Sequence, residues 1–220
     1  MQILVYNNDT NRMERYERNL NESMPYIKNN YLTVKEFRGS SKSDILWTDK
    51  RAMEAFNKIR EMFGLPIPVG YAFKRIGEGG HSGMSQHYAG LAFDVGQTLS
   101  NDERNRLRNL AISSGLFTYV EPAYLTPTWV HFYVRDKNPA CPTGGYPLVR
   151  SGKKGVYVLV LQDALNTLGY NAGALDGIFG QNTKNAVIRY QKENGLSQDG
   201  IVGCNTWKSI TESIKNSRYF

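Results

Sequence analysis

The stretch "GMSQHYAGLAFDVG", residues 83–96, sets His87 and Asp94 in a run of small and apolar residues. A second stretch, "TPTWVHFYVRD", residues 126–136, sets His131 among aromatic and β-branched ones. A strand turns successive side chains to opposite faces. In the first run, Leu91, Phe93 and Val95 share one face, and Ala92 and Asp94 share the other. In the second, Val130, Phe132 and Val134 oppose Trp129, His131 and Tyr133. Each strand thus buries one apolar row and presents one residue of metal-ligand type on its opposite face. If the two strands are neighbours, Asp94 and His131 converge, and His87 reaches in from the preceding loop. Two imidazoles and one carboxylate, with a fourth position left for water, form the pattern of a catalytic zinc site.

Outward from this pair, "TDKRAMEAFNKIREMFG" (48–64) places Met53, Phe56, Ile59 and Phe63 on one helical stripe, with Thr48 as N-cap and Gly64 as the stop. "LPIPVGYAF" reads as a short strand. The spaced arginines of "DERNRLRNL" (102–110) read as the wet face of a helix, with Ser100 as N-cap and Glu103 completing a capping box. "LFTYVEP" and the His131 run read as paired strands around a turn. Helices on a small, mostly antiparallel sheet make an α+β domain. The first 45 residues give no placeable signal.

The segment "NPACPTGGYPLVRSGKKG" (138–155) is rich in proline and glycine and reads as a linker. It divides the chain into a domain over 1–140 and a smaller one over 149–220. In the latter "DGIFGQNT" (176–183) returns as "DGIVGCNT" (199–206), each copy opening a helix. With the stripe Val160, Leu161, Leu165 and Leu168 before it, this predicts a three-helix unit with two matched Asp-Gly turns. Such a unit holds no catalytic constellation and reads as a binding module.

Composition narrows the partners. The formal net charge of +7 favours an anionic one, such as nucleic acid, an acidic membrane or an anionic cell wall. A nucleic-acid binder would rest on charge alone, since no groove-reading motif is present. No apolar run is long enough for membrane insertion. The N-terminal "MQILVYNNDTNRMERYERNL" lacks the long apolar stretch of a secretory signal, so synthesis in the cytoplasm is expected. Cys141 and Cys204 lack any CxxC spacing and read as two unpaired thiols.

"SQHYAGLAFDVG" followed by "WVHF" resembles the SxHxxGxAxD motif and downstream histidine of the M15 zinc peptidases, the D-alanyl-D-alanine carboxypeptidase and endolysin family. "AFNKIREMFGLPIPVGYAF" resembles the same family's approach to its site. The resemblance covers about residues 45–135 and implies Zn2+ held by His87, Asp94 and His131. That family usually has an acid three residues before the final histidine as general base. Thr128 stands there in this chain, and Glu121 is the nearest acid upstream. The family's Gly-Tyr-Arg is "GYAFKR" here, with Ala72 in the arginine's place, so Arg75 or Lys74 is expected to supply charge to the substrate, and His81 to contact it. The C-terminal region resembles the peptidoglycan-binding domain type 1 family in "VLQDALNTLGY", "DGIFGQNTKNAVIRYQKENGL" and "DGIVGCNTW". Together the two resemblances imply a peptidoglycan peptidase of endolysin type, acting on the wall after release and needing no obligate protein partner. Endopeptidase action, D,D-carboxypeptidase action and a wall-binding protein without catalysis all stay open.

Overall fold

Ile3, Leu4 and Val5 are fully buried because β1 (Gln2–Asn7) is the middle strand of a three-stranded sheet. The computed structural model describes residues 1–81 and 83–217. In this sheet β1 pairs antiparallel with β2 (Arg12–Glu17) and parallel with β3 (Ile45–Asp49). Between β2 and β3 lies a short helix, α1 (Val34–Arg38), closed by a Thr33–Glu36 capping box. α2 (Lys50–Phe63) follows β3 directly and buries the expected stripe Met53, Phe56, Ile59 and Phe63. Its N-cap is Asp49, whose carboxylate accepts from the Ala52 N–H at 2.9 Å. Thr48 is instead the last inward residue of β3, its hydroxyl donating to the Gly90 carbonyl at 2.7 Å, which corrects the expected cap by one residue. The left-handed Gly64 (φ 74°) ends the helix.

The second sheet runs β4 (Val69–Tyr71), β5 (Ala92–Val95), β7 (Val130–Tyr133), β6 (Tyr119–Val120), antiparallel throughout. α3 (Asn101–Ser114) connects β5 to β6, with the expected Ser100–Glu103 capping box in place. Phe93, Val95, Val130 and Phe132 are fully buried, so the alternation read from the sequence holds on both strands. The proline- and glycine-rich segment that follows forms a hairpin of β8 (Pro139–Cys141) and β9 (Gly144–Pro147).

The C-terminal unit is α4 (Val156–Thr167), α5 (Gln181–Glu193) and α6 (Cys204–Asn216). Its two Asp-Gly turns are built alike to the atom. Gln162 on α4 donates to Asp176 Oδ1 (2.8 Å) and the Ile178 carbonyl (3.1 Å), and accepts from the Gly177 N–H (2.9 Å). Gln191 on α5 does the same to Asp199 (2.9 Å), Ile201 (3.0 Å) and Gly200 (2.9 Å). Both glutamines are 1% exposed, so each buried side-chain amide is satisfied by the turn it holds. The architecture is α+β, mixed and antiparallel sheets with helices followed by a three-helix region.

The two regions share contacts and a continuous apolar core. Tyr157 of α4 donates to Gln86 at 2.9 Å, and Arg75 forms a two-pronged ion pair with Asp163 of α4 (2.8 and 2.9 Å). The hairpin packs on α6, with Trp207 donating to the Pro147 carbonyl at 2.9 Å and Tyr146 edge-on to the indole. That packing brings Cys141 to Cys204, and the two form a disulfide, which corrects the reading of two unpaired thiols. Among the described residues no helix is long and apolar enough to cross a membrane.

Candidate metal centre

Asp94 and His131 are register partners across β5 and β7, so both side chains leave the sheet on the face opposite the apolar core. His131 Nδ1 lies 2.6 Å from Asp94 Oδ1. His87 arrives from a single 3-10 turn, Gln86–Ala89, which Ser85 opens by accepting from the His87 N–H. The turn is stopped by Gly90, in the left-handed region at φ 68°. A Cβ at Gly90 would stand 1.9 Å from the Trp47 carbonyl oxygen, so this loop approaches β3 as only glycine permits. Trp47 Nε1 donating to the Tyr88 carbonyl (2.8 Å) and Thr48 donating to Gly90 bolt the loop to that strand.

His87 is 1% exposed, and its Nδ1 lies 2.8 Å from the Ala72 carbonyl. A carbonyl only accepts, so Nδ1 carries a proton, and in the neutral ring Nε2 then carries the lone pair. That lone pair faces Asp94 Oδ2 at 3.4 Å and has no hydrogen-bond partner among the described residues. A buried lone pair aimed at a carboxylate is a repulsive arrangement that a cation between them relieves. One ligand atom from each of His87, Asp94 and His131 lies within 4.8 Å of the others. The donor set, two nitrogens and one oxygen with one side open, suits a transition metal of the zinc class, so the residues fit the group. Burial alone would raise the Asp94 pKa, but the hydrogen bond from His131 outweighs it and holds its carboxyl below the usual range. It therefore stands as a carboxylate beside the two imidazoles, able to serve as the anionic member of a ligand set.

The other expected site residues distribute unevenly around this cluster. His81 stacks against His87 (4.8 Å between ring centres) and Tyr71 (4.6 Å), outside the three-ligand group. Burial, and then the neighbouring His87, pull its pKa down to about 4, so it stands at the site as a neutral imidazole. Glu121 directly follows β6, and its N–H donates to the His131 carbonyl at 2.8 Å. Continuing the β6–β7 register from Tyr119↔Tyr133 and Val120↔Phe132 makes Glu121 the cross-strand neighbour of His131, on the same face. Beyond the effect of burial, its charge helps raise the Tyr119 and Tyr133 phenols that stand on that face. Thr128 is exposed in the turn before β7. Arg75 is directed to α4, where Asp163 and Thr167 (2.9 Å) receive its guanidinium. Lys74 Nζ donates to Ser40, and Glu78 accepts from Ser41 (2.6 Å), the Lys42 N–H (2.9 Å) and the Arg75 N–H (3.0 Å). Those three residues order the loop before the site.

One residue read as solvent-facing has a different place. Arg108 on α3 is 5% exposed and donates to three carbonyls of the β6–β7 connection: Glu121 (3.1 Å), Thr126 (2.7 Å) and Trp129 (2.6 Å). It fixes the segment that delivers both Glu121 and His131. In sequence it is one arginine among several in a charged helix, with nothing to single it out.

A cleft of about 610 Å³ opens beside His131 and reaches α6, bordered by Met84 and Tyr133 on one side and by Lys208 and Lys215 on the other.

Residues 154–210 match the family described as "Putative peptidoglycan binding domain", PG_binding_1. The chain is 47% identical over 53 residues to the N-acetylmuramoyl-L-alanine amidase CwlM of Mycobacterium tuberculosis, covering 24% of this chain and 13% of that protein. It is 36% identical over 80 residues to the N-acetylmuramoyl-L-alanine amidase CwlL of Bacillus licheniformis, covering 34% and 22%. Among solved structures, a peptidoglycan-binding protein from Clostridioides difficile, in complex with glutamine hydroxamate, matches 30% of this chain and 42% of its own at 42% identity, with a TM-score of 0.30. The similarity to these wall hydrolases lies in the binding region, and the chain spans less than a quarter of the length of either amidase.

Proposed function

We propose that this chain, which carries a peptidoglycan-binding domain at residues 154–210, is a zinc-dependent peptidase of peptidoglycan stem peptides, acting as an endopeptidase. The observation that carries the reading is the buried Nε2 of His87, without a hydrogen-bond partner among the described residues, grouped with Asp94 and with His131, which lines a cleft beside that domain. Zinc bound there would supply Lewis acidity toward a carbonyl and water of lowered pKa. Asp94 contributes the negative charge of the ligand set, and the Ala72 carbonyl holds the His87 ring in the tautomer that ligation needs. Glu121, beside His131 on the open face, takes the proton given up by the attacking water and returns it to the departing amine. His81, neutral and half-buried over His87, donates or accepts a hydrogen bond to the bound peptide without closing the open position. The binding domain keeps this site near an insoluble polymer, which raises the effective substrate concentration.

The test is digestion of defined peptidoglycan fragments with metal-loaded protein, followed by mass spectrometry of the new amino and carboxyl termini. Cleavage inside the stem or cross-bridge, lost on chelation and restored by zinc, is expected. Release of terminal D-alanine alone would make the enzyme a D,D-carboxypeptidase. Undiminished cleavage by metal-free protein would overturn the zinc reading.

A further inference from the structure

The cleft beside His131 has two walls from different parts of the chain. One is the peptidase-side wall, with His131, Tyr133 and Arg135; the other is α6 of the peptidoglycan-binding region, with Lys208, Glu212 and Lys215. α6 also reaches the site's own loop: Lys215 Nζ donates to the His81 carbonyl at 2.7 Å, and Thr211 lies so close to Gly83 that a Cβ there would collide with its hydroxyl at 2.4 Å. The binding region is therefore part of the site's architecture as well as a tether.

The charge of these walls is lopsided. Arg135, Lys208 and Lys215 face the cleft against a single carboxylate, Glu212. The Arg135 guanidinium lies over the Tyr133 ring, and its buried Nε has no hydrogen-bond partner among the described residues. Arg135 nonetheless lines the cleft, which places a guanidinium, the side chain suited to two-pronged binding of a carboxylate, across from the two lysines. Lys215 spends one of its three N–H donors on His81 and keeps two for another acceptor.

We propose that this cleft is a subsite for a free carboxylate of the peptide being cleaved, bound between Arg135 on one wall and Lys208 and Lys215 on the other. The inference rests on the peptidase reading for its substrate but concerns binding rather than the chemical step. A carboxylate on the same peptide suits the cleft because the cleft opens at His131, where the scissile bond would sit. A phosphate of a separate wall polymer has no reason to lie there. The helix that anchors the enzyme to the wall thereby also selects which stem peptides enter.

The test measures binding by the full-length, metal-stripped protein, so that turnover does not intervene. The probes are a fluorescent stem-peptide fragment with a free side-chain carboxylate, the same fragment amidated at that carboxylate, and a glycerol-phosphate oligomer. The wild type is expected to bind the acid about 10-fold more tightly than the amide, with the preference shrinking as salt rises. In the Lys208→Gln/Lys215→Gln double variant the acid-to-amide affinity ratio, read within that one variant so that any loss of the Lys215–His81 contact affects both probes alike, should fall to about one. Lys215→Arg, which keeps the charge and the contact to His81, should retain the preference. Equal affinity for acid and amide in the wild type, or a preference that survives the double variant, overturns the proposal. So does lysine-dependent binding of the glycerol-phosphate oligomer with acid and amide bound alike, since the anion would then be a polymer phosphate. If the acid is preferred as expected, yet zinc-loaded protein releases no new termini, the peptidase reading fails and the subsite stands.

Discussion

His131 and Glu121 occupy neighbouring positions across one strand pair, yet their substitutions should separate cleanly. If zinc is held as proposed, His131→Ala removes one of its ligand atoms, and zinc content measured by atomic absorption and wall lysis should both be lost. Glu121→Gln keeps shape and hydrogen bonding but removes the proton acceptor. Its rate should fall about 10²–10⁴-fold with zinc still bound. A Glu121→Gln enzyme within a few-fold of wild type would return the base's role to another group, and one that loses zinc would make Glu121 a ligand or a support for one. The convergence of Asp94 with His131 was legible from alternation alone, because a strand has only two faces and the apolar row claims one. The neighbourhood of Glu121 was not, because the nine residues between β6 and β7 hide the register, and only the paired backbone reveals which acid stands beside the histidine. Arg75 shows the opposite case: its charge was plain in the sequence, but its partner, Asp163, lies on a helix of the other region.

Among the elements, the β6–β7 connection hangs on one side chain. Arg108→Leu leaves three carbonyls without their donor, so urea unfolding should show a loss of roughly 2–4 kcal/mol. Activity should fall further than stability predicts, since Glu121 and His131 lose their common anchor. If stability drops but turnover per folded molecule is unchanged, Arg108 only braces the loop. The repeated turns of the C-terminal unit offer a parallel case. Gln191→Leu strips its Asp-Gly turn of both a donor and an acceptor and should cost about 2 kcal/mol, with Gln162→Leu costing a similar amount because the two networks match bond for bond. Markedly unequal losses would show that the repeat is one of shape only. The repeat itself was visible because two copies of one motif stand close together. The N-terminal strands were not, because β1 pairs in parallel with β3 some forty residues on, and β2 shows an exposed and half-buried face with few apolar residues. Neither leaves a local signature.

For the whole molecule, the disulfide and the α4 and α6 contacts make the binding region a structural partner of the candidate metal centre. Two cysteines without a motif give no sign of pairing in sequence, since pairing depends on the hairpin packing against α6. Cys204→Ser releases a closed loop spanning 63 residues of separation. The chain-entropy account puts that at about 4 kcal/mol of stability, measurable as a lowered denaturant midpoint against the oxidised wild type. A reduced wild type should behave like the mutant, and a mutant as stable as the oxidised protein would mean the bond contributes nothing in solution. The bond also alters what a protease can do to this molecule. Exposed stretches of the segment joining the two regions, such as Leu148 and Arg150, lie between the bonded cysteines. A single cut there divides the polypeptide but not the covalent molecule. On a gel the nicked protein should run as one band until a thiol is added, then fall into two. In a protease-rich surrounding, hydrolysis of the chain would leave the peptidoglycan-binding region and the candidate metal centre on the same particle.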